Sequence, residues 1–97
     1  MTVEKNTSKP IEVIDDETST GTGFGNRVIL FNDSVHTFDE VTSQIMLAVG
    51  ASEKEAFRLA YIVDSRGSAI VYIGEMEDCI KVSDILGAIG LETRITM

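Results

Sequence analysis

The sequence has little of the chemistry from which metal sites and catalytic centres are built. Its 97 residues include one histidine, His36, and one cysteine, Cys79. A zinc site or a nucleophile–base–orienter triad normally draws on several such side chains. A single cysteine also excludes an internal disulfide framework. We therefore expect no metal and no cofactor, and we predict that the protein is not an enzyme.

Basic residues are also scarce. Eight lysines and arginines stand against 16 acidic residues, a formal net charge of −8. Proteins that bind phosphate backbones usually carry a basic patch, and the sequence has no basic cluster. The same negative charge disfavours binding to an anionic membrane surface. No apolar run reaches the roughly 18 residues of a transmembrane helix, and residues 1–16 lack an apolar stretch of signal-peptide type. We expect a cytoplasmic protein that binds neither nucleic acid nor membrane.

The composition changes at residue 26. Residues 17–25 are rich in Ser, Thr and Gly. Such a segment buries too little apolar surface to offset a backbone ordering cost of about 1–2 kcal/mol per residue. The sequence predicts a disordered acidic extension over residues 1–25 and one folded domain over residues 26–97. The extension could be an inert tail or a tether that engages a partner.

Strands are predicted where β-type apolar runs occur. Residues 28–31 (Val-Ile-Leu-Phe) form a continuous apolar run that ends at the turn formers Asn32, Asp33 and Ser34, which indicates a strand entering a turn. Residues 68–73 give a second strand signal, and residues 93–96 give the last one.

Three helices are predicted between these strands. The first begins at Thr37 and the second at Ser52, because each is followed three residues later by a glutamate with capping-box spacing. Acidic residues at 75, 77 and 78 suit the start of a third helix, which should run to Gly90. The apolar residues at helical spacing are Phe38, Val41 and Ile45; Ala56, Leu59, Ala60 and Val63; and Cys79, Val82, Leu86 and Ile89.

The resulting order is β-α-α-β-α-β. The apolar residues at helical spacing form a stripe along each helix, and each stripe needs a sheet face to cover. The sequence therefore predicts an α+β fold in a single small domain. About 70 ordered residues support one core with a few kcal/mol of stability. A shallow surface site is more plausible in such a domain than a deep cleft.

Two aspartates are the remaining candidates for chemistry. Asp33 lies in the turn after the first strand, and Asp64 lies near the end of the second helix. Paired carboxylates serve acidic hydrolases, but the sequence does not show that these two are adjacent. His36 is interpreted as a solvated loop histidine or as a residue that flanks a site.

The segment Val-Ile-Leu-Phe-Asn-Asp-Ser-Val-His-Thr-Phe over residues 28–38 resembles the start of the ClpS family, the bacterial N-degron adaptors of the Clp protease. The likeness continues through residues 55–60, 63–67, 69–72 and 89–95. The resemblance covers residues 26–96. It implies a three-stranded antiparallel sheet covered by three helices, in the order already indicated by periodicity.

The resemblance also implies a function. ClpS-like proteins bind substrates whose first residue is Leu, Phe, Tyr or Trp. They deliver these substrates to a AAA+ unfoldase, ClpA or ClpC, that is coupled to the ClpP peptidase. They have no catalytic activity and no cofactor, and a disordered N-terminal extension takes part in delivery.

The family's site residues can be carried over by position. The family surrounds the substrate ammonium with an Asn-Asp-Asp turn and a histidine, which match Asn32, Asp33, Ser34 and Asp64. Ser34 and His36 are expected at the rim of the site. The expected hydrophobic pocket consists of Phe38, Val41, Ala60, Val63 and Leu91, and the expected unfoldase-docking residues are Glu77 and Lys81.

Ser34 and Asp64 depart from the family pattern, and two interpretations follow. In the first, Asp33 and Asp64 together hold the ammonium through charge-assisted hydrogen bonds. In the second, the chain is a ClpS-like paralogue that docks on the unfoldase and regulates it without recognising N-degrons. The family often has methionine at the positions of Phe38 and Ala60, so we expect aromatic first residues to be retained with an altered ranking.

Overall fold

A computed structural model describes residues 25–97 of the chain. The elements follow in the predicted order: β1 (Asn26–Phe31), α1 (Phe38–Val49), α2 (Glu53–Arg66), β2 (Ser68–Gly74), α3 (Met76–Gly87) and β3 (Thr93–Thr96). The predicted extension lies outside the described residues except for Gly25. No helix of the described part is both long and apolar enough to cross a membrane.

Strand β1 lies in the middle of the sheet and pairs antiparallel with β2 on one side and β3 on the other. Alternate residues of β1, Val28 and Leu30, are fully buried, as expected for a strand with one face on the core. The helical stripes complete that core. The predicted three-stranded antiparallel sheet covered by three helices is therefore confirmed. The buried hydrophobic residues of the described part are Val28, Leu30, Ile45, Ala56, Leu59, Ala60, Val63, Val71, Cys79, Val82, Leu86 and Leu91.

The first two helices begin at the predicted caps. The Thr37 hydroxyl accepts from the Glu40 N–H at 3.1 Å, and Glu40 Oε1 accepts from the Thr37 N–H at 2.8 Å, which completes a capping box. Ser52 caps α2 by accepting from the Glu55 N–H at 3.1 Å. The Glu55 carboxylate instead accepts from Arg58 at 3.0 Å.

The third helix ends earlier than predicted, at Gly87 rather than Gly90. The Ala88 N–H bonds to the Ile85 carbonyl, and the Gly90 N–H bonds to the Gly87 carbonyl. Both hydrogen bonds join residues three positions apart and form tight turns after the helix. The turns change which side chains face inward. Ile89, expected on the buried stripe, is 38% exposed, whereas Leu91 is 5% exposed and belongs to the core.

Candidate functional site

Three segments of the chain converge at one end of the sheet. The Asn32 N–H donates to the Gly67 carbonyl at 2.9 Å, which joins the end of β1 to the residue that terminates α2. The Phe31 N–H donates to the Glu92 carbonyl at 3.0 Å, which joins β1 to the segment before β3. The loop 32–37, the last turn of α2 and the loop 88–92 are therefore neighbours. The first loop carries Asn32 and Asp33, the last turn of α2 carries Asp64, and the second loop carries Leu91.

The Asp33 carboxylate organises the 32–37 loop. Its Oδ1 accepts from the backbone N–H groups of Val35 and His36, both at 2.9 Å, and its Oδ2 lies 2.8 Å from His36 Nδ1. These hydrogen bonds, led by the His36 and Val35 N–H groups, hold the pKa of Asp33 below its usual range. Two carboxylate oxygens offer about four acceptor positions, so an ionised Asp33 keeps acceptor capacity on Oδ2 for a further donor.

The His36 ring lies between two loops. Nδ1 faces Asp33, and Nε2 lies 2.5 Å from the backbone carbonyl oxygen of Ile89. The side chain is 11% exposed, so the interpretation as a solvated loop histidine is wrong. Both partners are acceptors, and only an imidazolium can donate from both nitrogens. The Ile89 carbonyl, followed by Asp33, accordingly raises the pKa of His36 above its ordinary value, against the opposing effect of burial.

These two shifts predict how the pair contributes to stability at each pH. His36 has a raised pKa, so its contribution is complete below pH 6.5 and is lost as pH rises through the folded-state pKa. Asp33 has a lowered pKa, so its contribution is complete above pH 3.8 and is lost as pH falls through the folded-state pKa. Protonation of any carboxylate can affect stability at low pH. The loss of stability at high pH is therefore the change that reports on His36.

Urea unfolding between pH 5 and 9 would measure this loss of stability. We expect the free energy of unfolding of the wild type to decrease above pH 6.5 and that of His36→Gln to lack this decrease. Parallel profiles of the two proteins would show that the His36 hydrogen bonds do not depend on protonation.

Asp64 lies in the last turn of α2 and is exposed. Within residues 25–97 its carboxylate has no hydrogen-bond or ion-pair partner, in contrast to Asp33. Asn32 and Ser34 are also exposed. The described part of the chain holds no group of three or more His, Cys, Asp or Glu side chains that could bind a metal ion. Asn32, Ser34 and Asp64 all carry oxygen atoms that can accept hydrogen bonds from a ligand.

The five residues of the predicted pocket differ in exposure. Ala60, Val63 and Leu91 are 2%, 2% and 5% exposed and belong to the hydrophobic core, whereas Phe38 and Val41 are half-buried and pack against it. A ligand side chain could therefore contact Phe38 and Val41 without rearrangement. The three buried residues are not exposed to a ligand in this structure.

Phe57 of α2 is a candidate that the sequence interpretation missed. Its ring contacts Phe38 in an edge-on arrangement, with ring centroids 4.9 Å apart and planes at 67°. Such aromatic pairs contribute about 0.5–1.5 kcal/mol beyond the area that they bury. Phe57 is 53% exposed, and Tyr61, one turn later, is exposed as well. The sequence signal that could have identified it is a pair of aromatic residues, Phe57 and Tyr61, four positions apart and outside the apolar stripe of α2.

The predicted docking residues lie elsewhere. Glu77 is in the first turn of α3, and Lys81 follows one turn later; both are exposed. The 88–92 loop begins at the opposite end of this 12-residue helix, which is about 18 Å long at 1.5 Å per residue. A partner held at the start of α3 would leave the converging loops accessible.

Comparisons with known proteins agree on one family. The family model described as "ATP-dependent Clp protease adaptor protein ClpS" matches residues 25–90. A structure of Agrobacterium tumefaciens ClpS2 bound to L-phenylalaninamide superimposes with a TM-score of 0.64 at 24% identity, covering 72% of this chain and 92% of that chain. At this identity the likeness shows the fold.

Curated relatives are much longer proteins. The E3 ubiquitin-protein ligase ubr-1 of Caenorhabditis elegans is 34% identical over 56 residues, which are 58% of this chain. The human E3 ubiquitin-protein ligase UBR2 is 34% identical over 58 residues, which are 60% of this chain. The matched region spans only 3% of the length of either ligase.

Proposed function

The chain belongs to the ClpS family of ATP-dependent Clp protease adaptors, and from this we propose that it recognises the N-termini of N-degron substrates. It binds the free α-amino group together with a bulky first side chain (Leu, Phe, Tyr or Trp). It delivers the substrate to a AAA+ Clp unfoldase of the ClpA or ClpC type, which acts with ClpP in the cytoplasm. The chain works by binding alone, without catalysis or a cofactor.

The observation that carries this proposal is the convergence of acceptors at one end of the sheet. An N-terminal ammonium presents only donors, so its receptor must present acceptors. Asp33 retains acceptor capacity on Oδ2. Asn32 precedes it in the loop, and Asp64 is exposed in the last turn of α2, which the Asn32–Gly67 hydrogen bond joins to this loop. The Asp33 carboxylate is paired with His36, so Asp64 supplies the negative charge that is not already balanced. Charge-assisted hydrogen bonds of this kind are among the stronger ones in proteins.

The apolar half of the site accepts the first side chain. Phe38 and Val41 present half-buried apolar surface on α1 and pack against the hydrophobic core, to which Ala60, Val63 and Leu91 belong. The A. tumefaciens relative was solved with L-phenylalaninamide, which combines a free amine with an aromatic side chain. That ligand supports an aromatic first residue here. The ring of Phe38, held by Phe57, alters the ranking among Phe, Tyr, Trp and Leu.

Delivery uses other parts of the chain. We assign residues 26–97 to the adaptor domain and residues 1–25 to an extension that engages the unfoldase during transfer. Glu77 and Lys81 are exposed at the start of α3 and form part of the docking surface. Their separation from the 32–37 and 88–92 loops allows one adaptor to hold the substrate and the unfoldase together.

A peptide titration tests the proposal. Fluorescence anisotropy would compare labelled peptides that begin with Phe, Leu, Arg or acetyl-Phe and share the remaining sequence. Acetylation removes the charge and most donors of the amine, so we expect about 100-fold weaker binding of acetyl-Phe, the effect of one or two charge-assisted hydrogen bonds. Equal affinities for the free and acetylated peptides would refute amine recognition.

A second candidate function is regulation of the unfoldase without recognition of N-termini. Ser34 and Asp64 favour it, because the resemblance places a second aspartate and a histidine at these positions. In this alternative the Asp64 side chain, which is shorter than histidine, does not contact the ammonium directly. Binding to the unfoldase by a protein that binds none of the four peptides would favour this alternative.

A further inference from the structure

The His36 ring joins two loops that are distant in sequence. Its hydrogen bond to the Ile89 carbonyl spans 53 positions, while its other nitrogen bonds to Asp33 three residues away. Gly90 lies directly against the ring: a Cβ built on this residue would be 3.7 Å from His36 Cε1. The φ of Gly90 is 91°, a left-handed conformation that glycine adopts without steric cost. The 88–92 loop is therefore shaped to receive the imidazole.

We propose that His36 is a positioning residue, which holds the 88–92 loop against the Asp33 turn and so fixes the spacing between the apolar and amine-binding parts of the site. This inference rests on the proposed function. It concerns a residue that does not itself contact the substrate. It acts through Asp33 on one side and through the loop that carries Leu91 on the other.

The 88–92 loop has few other bonds to the site. Within the described residues, the Gly90 and Leu91 N–H groups bond back to the end of α3, and the Glu92 carbonyl bonds to β1. In this part of the chain, the Ile89 carbonyl accepts a hydrogen bond from His36 and from no other group. Segments with few and exposed hydrogen bonds open locally at low free energy. Without His36, the loop would lose its fixed distance from the 32–37 loop, and its N–H bonds to the end of α3 would open more often.

The protonation state of His36 decides whether both bonds form. The carboxylates that act on the ring are Asp33 in its own loop and Glu40 on α1. The group that faces it from the 88–92 loop is the Ile89 carbonyl. Both carboxylates favour the imidazolium, which donates to both loops. A neutral imidazole can donate to only one of them.

Two substitutions separate positioning from charge. His36→Gln removes the positive charge and one ring donor, and His36→Lys keeps the charge but cannot reproduce the planar ring with its two opposed donors. If His36 acts through position, both variants should bind a Phe-initiated peptide about tenfold more weakly at pH 6, the loss of roughly one hydrogen bond to a charged group. If it acts only as a positive charge beside the ammonium, His36→Gln should bind more tightly and His36→Lys as the wild type does.

Amide hydrogen exchange in the free protein gives a readout that needs no ligand. We expect faster exchange of residues 89–91 in both variants, and unchanged exchange in the control Val35→Gln, which alters an exposed neighbour. Unaltered exchange at residues 89–91 together with unaltered peptide affinity would overturn the inference. If the wild type binds no peptide, the proposed function fails, and exchange alone then decides whether His36 holds the loop.

A measurement on the wild type covers the case in which a variant does not fold. Raising the pH from 6 through the raised folded-state pKa of His36 removes the ring proton and should reduce the protection of residues 89–91, after correction for intrinsic exchange rates. Constant protection across this range would also overturn the inference.

Discussion

Replacing Asp33 with alanine should remove the ability of the protein to distinguish a free Phe terminus from an acetylated one. We expect at least about 100-fold weaker binding of the free peptide, because an ionised acceptor for the ammonium is lost. The loop around it is also released, since this one carboxylate bonds the Val35 and His36 N–H groups and the His36 ring. Anisotropy titration with the free and acetylated peptides measures both effects.

Asp33→Asn is the matched control for the loop. Its carbonyl oxygen can still accept from the two backbone N–H groups, while the negative charge is gone. We expect Asp33→Asn to keep the fold of the 32–37 loop and to bind the free peptide with an affinity between those of the wild type and Asp33→Ala. Unchanged binding by a folded Asp33→Ala protein would remove this residue from the site.

Asp64→Lys should have a comparably large effect on binding without an effect on the fold. Asp64 is exposed, and its carboxylate has no partner among residues 25–97, so no native hydrogen bond of the described part is lost. The substitution places a cation where the substrate ammonium is expected. We expect binding of the Phe-initiated peptide to fall by about 100-fold at low salt and by less at high salt, because ions screen exposed charges.

Asp84→Lys changes the net charge equally at an exposed position on α3 and controls for the overall field of the protein. We expect it to change the affinity only slightly. Asp64→His installs the residue that the family resemblance places at this position and should retain peptide binding. If Asp64→Lys binds the peptide as well as Asp84→Lys does, Asp64 takes no part in amine recognition.

Most of the fold could be predicted from the sequence because its signals are local. The Thr37 and Ser52 caps, and the left-handed Gly50 and Gly67 that end the first two helices, all bond within a few residues of themselves. The same is true of the stripe on α2, whose four predicted residues are all buried. Periodicity and capping act within one or two turns and are visible in a single sequence.

The misassigned end of α3 shows where local signals stop. Gly90 has the left-handed conformation of a helix-ending glycine, but the chain has already left the helix after Gly87. The buried residue of this segment is Leu91, because the loop must return to the sheet where Glu92 pairs with β1. That requirement comes from the tertiary packing.

The candidate site could be predicted only in part for the same reason. The turn formers at 32–34 indicated the location of the acceptors. The bond from His36 to Ile89 spans 53 positions, and the Phe38–Phe57 contact joins two helices. No short-range pattern encodes either of them. The structure shows that His36, predicted at the rim of the site, also links two loops.

A crystal structure of the protein with a Phe-initiated dipeptide tests the central claim most directly. We expect the ammonium within hydrogen-bonding distance, about 2.7–3.2 Å, of Asp33 Oδ2 or the Asn32 side chain, and bonded to Asp64 directly or through one water. The phenyl ring should lie against Phe38 and Val41. A dipeptide bound elsewhere, or bound here with its ammonium directed into solvent, would contradict the proposal that this chain recognises N-termini.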